Sequence, residues 1–394
     1  MAEQLHVRQA RRLFTGSLLI AGSLLVAGCI PRSEPRPTAP PPPPPPPVRP
    51  EPGPNLPPDE TRNRVAVLVP LSGENGGVGQ SIANAANLAL LDAGGDRIRI
   101  TVYDTARAGG VVAAANEALG DGNGLFLGPL LAEDVRAVAP IARRAGVPAI
   151  AFSNDVGNAG DGVYVMGFSP AQSVARVVSY ARSQNVVRFA GVVPDGVYGR
   201  HASTALIDAV EQGGGRMVGM QNFDRTTRGL QAAVTRLSGQ SQFDAVLIGD
   251  SGRIGIQAAP MVRKIAPGAR ILGTELWRTE SGLGAAPALR GAWYATVPDT
   301  MFNQLRTRYR TRFGKTPYRL ASLGYDSALL AVRVGRDWPV GKRFPESALL
   351  NPDGFMGVDG AFRFRADGVA ERALEVVQVG PGGATTVSPA PKGF

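Results

Sequence analysis

Short apolar runs alternate with longer amphipathic segments along most of the chain, beginning at Arg64. Within residues 98–102 every second position is apolar, which is the two-residue period of a half-buried β-strand. Residues 132–145 instead place apolar side chains at helical spacing. Strands that alternate with helices in this way are typical of βαβ units. The pattern therefore predicts an α/β fold in which parallel sheets are flanked by helices.

The predicted elements fall into two similar series, separated by Phe168-Ser169-Pro170. The first series has predicted strands at 64–69, 98–102, 125–128 and 148–152, and helices at 79–93, 111–119 and 132–145. The second has helices at 171–183, 202–212, 230–237 and 254–265, and strands at 189–193, 217–222, 245–249 and 270–273. A strand at 292–297, helices at 301–313 and 321–333, and a hairpin at 360–365 and 374–379 are predicted to follow.

This repetition predicts two doubly wound lobes, joined by a hinge of several strands near residues 167–170 and Pro298. The first lobe is assigned residues 63–168 and about 299–350, and the second residues 169–298 and about 351–380. Residues 381–394, rich in Gly, Pro and Thr, are predicted to be a flexible tail. In such sheets ligands bind beyond the carboxyl ends of the strands.

The first 28 residues have the layout of a secretory signal. Arg8, Arg11 and Arg12 precede a mostly apolar run at 13–26, which is shorter than the roughly 20 residues of a membrane-spanning helix. The small residues before Cys29 resemble the lipobox of bacterial lipoproteins, which implies cleavage before Cys29 and acylation of its thiol. A secreted protein with an incidental cysteine is the alternative. The paired arginines leave both the general and the twin-arginine export routes open.

Residues 29–62 are predicted to form a tether, because proline dominates them and is unbroken from Pro40 to Pro47. Such a run forms polyproline II, a stiff extended helix. At about 3.1 Å per residue the tether would span roughly 100 Å. A ligand segment for an SH3-type domain is the other interpretation of this run.

Composition excludes several kinds of site. Cys29 is the only cysteine, so the chain forms no internal disulfide and no multi-thiolate metal site. With two histidines, His6 and His201, a histidine metal cluster is excluded, and no metal or cofactor is predicted. The net charge of +10 suits an anionic surface or wall polymer, although a general preference for arginine over lysine explains it too. The arginines are scattered rather than grouped with aromatic residues, so no nucleic-acid partner is predicted.

Two loops at predicted strand ends carry candidate ligand groups. Ser72 and Gly73 open a glycine-rich turn before a helix, which serves either as an anion-binding loop or as a structural loop. The turn matches neither the Walker motif nor the dinucleotide-binding motif. Asp250 follows another strand, where it either faces the cleft or caps the next helix.

Several short stretches together resemble the type I periplasmic binding proteins, the leucine/isoleucine/valine-binding family. They read Val-Pro-Leu-Ser-Gly at 69–73, Gly-Pro at 128–129 and Val-Pro-Ala-Ile-Ala-Phe-Ser at 147–153, and continue at 198–200, 243–246, 272–275 and 324–327. Within that family the chain looks most like the lipoprotein activators of penicillin-binding proteins, on the stretches 273–277, 291–294 and 357–360. The resemblance implies a two-lobed clamshell over nearly all of residues 64–379.

The resemblance also implies a ligand cleft. Ser153 and Asn154 match the small polar residues that meet a substrate carboxylate in amino-acid-binding relatives. Tyr198 and Glu275 match the tyrosine and the acid of the second lobe, the acid pairing with an amino group. Each residue also has a structural alternative. Tyr198 could pack against a helix start, and Glu275 could cap a helix or lie at the surface. Relatives often have serine after Gly-Pro, whereas this chain has Leu130-Leu131, which puts a free amino acid in doubt.

Two functions follow from these expectations. The first is a non-catalytic lipoprotein that regulates a penicillin-binding protein, a peptidoglycan synthase, from the outer membrane. Ile30 supports that membrane, because inner-membrane retention usually requires aspartate after the lipidated cysteine. The second is a solute-binding protein of an ABC transporter, with an amino acid or small amide as ligand. No nucleophile–base pair is evident, so no catalytic residue is predicted.

Overall fold

The computed structural model describes residues 59–394. The predicted signal peptide, Cys29 and residues 30–58 of the tether lie outside the described residues. Asp59, near the predicted end of the tether, is already held by the folded part, since its carboxylate lies 2.8 Å from Arg62 and 3.5 Å from Arg99. Within residues 59–394 no helix combines the length and the apolar character needed to cross a membrane.

The first lobe is built on a parallel sheet whose five strands have the order β2-β1-β3-β4-β5 in the described chain. Side chains of β1 alternate between two cores: Val65 and Val67 pack on one face of the sheet, and Ala66 and Leu68 on the other. Helices cover both faces, as a parallel sheet requires. The strands are β1 (Asn63–Val69), β2 (Ile98–Asp104), β3 (Leu125–Leu127), β4 (Ala149–Ala151) and β5 (Val163–Val165), and the helices α1 (Gly76–Ala93), α2 (Gly110–Gly120) and α3 (Ala132–Ala145).

The second lobe is built on a mixed sheet in the order β15-β14-β10-β9-β8-β6-β7. Strands β6 to β10 run parallel, while β14 and β15 extend the sheet antiparallel to β10 and to each other. The strands are β6 (Arg188–Pro194), β7 (Arg216–Phe223), β8 (Ala245–Ile248), β9 (Arg270–Gly273), β10 (Trp293–Thr296), β14 (Glu375–Gly380) and β15 (Gly383–Ser388), and the helices α4 (Pro170–Ser183), α5 (Val197–Gln212), α6 (Thr227–Ser238) and α7 (Gly252–Ile265). Short 3₁₀ helices lie at Val156–Asn158, Glu275–Thr279, Leu283–Ala285, Pro287–Leu289 and Glu346–Leu350.

The chain then returns to the first lobe. Helices α8 (Thr300–Phe313) and α9 (Ala321–Gly335) pack on its core, α9 lying against α1. A small antiparallel sheet follows, formed by β11 (Phe355–Gly357), β12 (Gly360–Phe364) and β13 (Ala370–Arg372). The predicted α/β fold with two doubly wound lobes is thereby confirmed, with antiparallel strands added to the second sheet.

The predicted hairpin and the lobe boundary near residue 350 both differ from the structure. Strand β12 pairs with β13, whereas β14 joins β10 in the other sheet. Phe362 and Phe364 complete the core of the first lobe, and Val377 and Val379 complete that of the second. The hydrophobic partners of each strand therefore place the lobe boundary near residue 373. The alternation of apolar and polar residues does not show which of the two sheets a strand joins.

The predicted flexible tail at 381–394 also differs from the structure. Its residues 383–388 form β15, which pairs with β14 from Val376 to Gly380. The strand is short and mostly exposed, so it lacks the apolar alternation that would mark it in the sequence. Backbone pairing with the edge of an existing sheet holds it in place.

Three segments cross between the lobes, near residues 166–170, 297–299 and 372–375. In each case the residues on one side of the segment belong to the core of the first lobe, and those on the other side to a core of the second. The first two coincide with the predicted hinge segments. The third was not predicted, because the hairpin interpretation placed both of its flanking strands in one lobe.

Each lobe begins with the same contact between a strand end and a helix start. A Cβ atom added at Gly79 would lie 1.8 Å from the carbonyl oxygen of Pro70, and one at Gly199 would lie 1.6 Å from that of Pro194. Helix α5 begins at Val197, five residues earlier than predicted, and therefore carries Gly199 in its first turn. Only glycine permits this close approach of helix to strand.

A Gly199→Ala variant is expected to lose about 2–3 kcal/mol of unfolding free energy, because the helix must move away from the strand end. Urea denaturation of the purified protein measures the loss. Gly120, the last residue of α2, is the matched control, since nothing lies within 4 Å of a Cβ added there. Gly120→Ala should leave stability unchanged or raise it by up to about 1 kcal/mol. Equal effects of the two substitutions would contradict the steric interpretation.

Candidate functional site

A cavity of about 410 Å³ lies between the two lobes beside the crossing segments. Val78 and Phe152 come from the first lobe, and Ser173 and Leu276 from the second. This volume is within the range of small-molecule sites, which is about 300–1,000 Å³. Nine of its 21 lining residues are apolar and twelve are polar or charged, so the wall offers both apolar surface and hydrogen-bonding groups.

Three of the predicted cleft residues line this cavity: Ser153, Asn154 and Glu275. Ser153 and Asn154 follow β4, at the carboxyl end of the first sheet, as the strand-end rule predicts. Ser153 is buried and its hydroxyl oxygen accepts a hydrogen bond of 3.1 Å from the Asp155 amide, whereas Asn154 is exposed.

Ser72 and Gly73 do not line the cavity, which corrects their assignment. Both are exposed, and Gly73 adopts a φ of +69° in a turn that is closed by a hydrogen bond from the Gly76 amide to its carbonyl. Val78 and Asn75, farther along the same segment, reach the cavity instead. The turn therefore acts as a structural element that leads into α1.

Asp250 is also outside the cavity wall. Its carboxylate accepts hydrogen bonds from Arg225 Nε at 2.9 Å and from the Ser251 amide at 2.6 Å. Its carbonyl oxygen accepts a 3.0 Å hydrogen bond from the indole of Trp277, which is fully buried. Asp250 thus fastens the loops around the start of α7, a structural role.

Tyr198 does not line the cavity, but it contacts Glu275, which does. The Tyr198 hydroxyl is 3.0 Å from Glu275 Oε1 and 3.0 Å from Thr274 Oγ1. The Ser173 hydroxyl donates to Glu275 Oε2, so both carboxyl oxygens already accept a hydrogen bond. Burial raises the pKa of Glu275, and burial with the neighbouring Glu275 raises the pKa of Tyr198. Glu275 therefore lines the cavity as a half-buried residue, in an environment that disfavours its charged form.

Three arginines also line the cavity, and sequence patterns did not single them out: Arg278, Arg319 and Arg372. The Arg319 guanidinium donates to the fully buried Asp359 and, over 2.8 Å, to Ser322 Oγ. Arg278 donates to Thr296 Oγ1 over 3.1 Å and pairs with Asp299. Arg372 Nη2 donates to the Met166 carbonyl over 2.7 Å. These residues are far apart in the chain, so no local motif marks them.

Burial shifts the pKa values of the charged side chains in and around this cluster. Burial opposes ionisation of Asp359, but Arg319 and Arg372 outweigh it and lower its pKa. Burial, together with the nearby charge of Asp359, raises the pKa of Asp326 to about 7. Burial, with Arg319 as a second cause, lowers the pKa of Arg278 to about 10. The crossing region therefore holds three arginines that line the cavity, two of which lower the pKa of the fully buried Asp359.

Comparison with known proteins places the whole folded part in one family. A family model described as periplasmic binding protein matches residues 63–384. A curated relative, an uncharacterized protein of Rickettsia prowazekii, is 23% identical over 174 residues, which are 44% of this chain and 47% of that protein. The match thus spans about half the length of that relative.

Solved structures with the same fold have low sequence identity to this chain. A protein described as a branched-chain amino acid ABC transporter from Rhodospirillum rubrum is 19% identical, with a TM-score of 0.72, covering 83% of this chain and 100% of the other. Full-length LpoA from Haemophilus influenzae is 18% identical, with a TM-score of 0.65, covering 83% of this chain and 59% of LpoA. At these identities the likeness concerns the fold.

Proposed function

Because residues 63–384 match its family model, this chain belongs to the periplasmic binding protein family, and we propose that it is a non-catalytic lipoprotein that regulates a penicillin-binding protein. A lipid on Cys29 holds it at the outer membrane, facing the periplasm. The proline-rich tether extends the two lobes toward the cell wall, where they contact a peptidoglycan synthase.

The state of the cleft is the observation that carries this proposal. The positions that the family resemblance assigns to an amino acid ligand no longer suit one. Leu130 and Leu131 line the cavity where a carboxylate donor is expected. Glu275, the expected partner of the amino group, is bonded to Ser173 and Tyr198 and has a raised pKa. A transporter receptor for free amino acids requires both groups, so these lobes favour a different task.

The predicted anchor and tether support the same proposal. The stretches at 273–277, 291–294 and 357–360 resemble the lipoprotein activators of penicillin-binding proteins, and LpoA has the same fold. A tether of roughly 100 Å would let lobes anchored at the outer membrane reach a wall synthase. A receptor for an ABC transporter must instead deliver its ligand to the inner membrane.

A solute-binding protein of an ABC transporter is the second candidate. The cavity of about 410 Å³ favours it, because a purely protein-binding module does not need an internal site of that size. The altered amino acid positions then indicate another class of solute.

Capture of the full-length chain from cross-linked membranes tests the proposal. A penicillin-binding protein, detected with a fluorescent penicillin, should be recovered with it. A chain that lacks residues 40–47 keeps the same lobes but is about 25 Å shorter in reach. It should therefore capture less of the penicillin-binding protein. Recovery of an inner-membrane permease with no labelled penicillin-binding protein would instead support the solute receptor.

A further inference from the structure

We propose that a groove between helix α9 and strand β11 binds an acidic segment of a partner protein, which presents an apolar side chain beside its carboxylates. The groove has a volume of about 460 Å³. None of its lining residues lines the cavity between the lobes. The surface is therefore separate from the cleft, and the proposal depends neither on a penicillin-binding protein as partner nor on a ligand between the lobes.

The two sides of the groove are formed by regular elements of the first lobe. Leu329, Arg333 and Arg336 lie on one side, spaced four and three residues apart along α9 and its end, so they share one face of the helix. Phe355 and Met356 of β11 form the other side. The remaining lining residues also belong to elements of this lobe. A change in the angle between the lobes would therefore leave the groove intact.

The apolar part of the groove reaches the surface at Met356. This side chain is 64% exposed, whereas Phe355 and Gly357, its neighbours on the strand, are buried. Phe362 and Leu330 lie at the base of the groove and are at most 2% exposed. Contact surfaces between proteins are enriched in methionine, aromatic residues and arginine and are depleted in lysine. The groove contains all three enriched types and no lysine, which favours a protein as its partner.

The charges of the groove determine the chemistry of the partner. Arg333 and Arg336 are exposed, and within residues 59–394 neither forms an ion pair with a carboxylate. The guanidinium carbon of Arg333 lies 5.2 Å from the ring of Phe355, so this cation is held beside the apolar wall. Asp326, the acidic residue at the base, is 1% exposed, and its carboxylate accepts a 2.7 Å hydrogen bond from the Val358 amide. Two exposed cations are thus available to the carboxylates of a partner, which an acidic segment supplies.

Selection of phage-displayed random nonapeptides on the immobilised full-length protein tests the groove. The enriched peptides should combine acidic residues with an apolar residue between them. Their affinities are then measured by fluorescence anisotropy with labelled synthetic peptides. The double variant Arg333→Gln/Arg336→Gln should weaken binding by about tenfold or more, because two charge pairs are lost. Met356→Ser should weaken it by about threefold to tenfold, because an apolar contact is lost.

Two control variants distinguish a local effect from a general one. Arg306→Gln/Arg310→Gln removes the same charge from exposed arginines of α8, which do not line the groove. Met301→Ser replaces another exposed methionine outside the groove. Neither control should change the affinity of the peptides by more than about twofold, because the contacts of the groove are retained. Circular dichroism checks that each variant is folded.

Three results would overturn the proposal: enrichment of no peptide by folded protein, enrichment of peptides that lack acidic residues, and equal binding to the Arg333→Gln/Arg336→Gln variant. Two further measurements identify other occupants. A dimer in sedimentation velocity that the same double variant abolishes would assign the groove to a second copy of the chain. Displacement of the peptides by phosphatidylglycerol vesicles would assign it to a lipid surface. Either result would replace the partner protein. Capture of a penicillin-binding protein is measured separately, so either proposal can fail alone.

Discussion

Replacing Asp359 by alanine is expected to lower the free energy of unfolding by about 3–5 kcal/mol, because removal of one partner leaves a buried charge without compensation. Asp359 is fully buried and accepts a hydrogen bond from Arg319. Its charge also stabilises Arg372, which lies in the same crossing region. Urea denaturation followed by circular dichroism measures the change.

Glu117→Ala is the matched control for this substitution. Glu117 pairs with Arg107 on the surface, and 43% of its side chain is exposed. An exposed pair contributes about 0–1 kcal/mol, and alanine is a good helix former, so stability should change little. If the Asp359→Ala and Glu117→Ala variants lost similar amounts, the buried cluster would not be a major source of stability.

Replacing Cys29 by serine is expected to release the protein from the membrane fraction completely, because serine lacks the thiol that carries the lipid. The unfolding midpoint of the two lobes should not change, since Cys29 is thirty residues before Asp59, the first of the described residues. Fractionation followed by separation of inner and outer membranes measures both attachment and location.

Ser33→Ala, four residues after the cysteine, is the control and should stay with the outer membrane. Unchanged fractionation of the Cys29→Ser chain would remove the basis for an anchored protein. Attachment of the unaltered chain to the inner membrane would contradict the interpretation of Ile30 and would favour the solute receptor.

The elements of the two lobes were largely predictable, because apolar periodicity records local burial. Helix α3 spans 132–145 and strand β9 spans 270–273, both as predicted. The main errors occur where a segment has little apolar alternation, as in β15, or where two segments with the same pattern join different sheets, as in β12 and β14.

The rule for strand ends predicts the edge of the sheet at which the cleft lies, but it does not select the residues that line it. Ser153 was singled out by the family resemblance, and it follows a strand whose carboxyl end faces the cleft. Ser72 and Asp250 satisfy the same rule but are held in other contacts, by a closed turn and by Arg225 respectively. Position along the chain does not show whether a residue at a strand end faces the cleft, because that depends on which hydrogen-bond partners other elements bring to it.

The two lobes, their order and two of the crossing segments could be inferred from the sequence, because these follow from hydrophobic periodicity and chain connectivity. The predicted anchor and tether also rest on local sequence features. The chemistry of the cleft, in contrast, depends on tertiary contacts. Arg278, Arg319 and Arg372 line one cavity because three crossings bring distant segments together. Burial makes their charges and unpaired hydrogen-bond donors energetically important, which cannot be read from arginines scattered along a sequence.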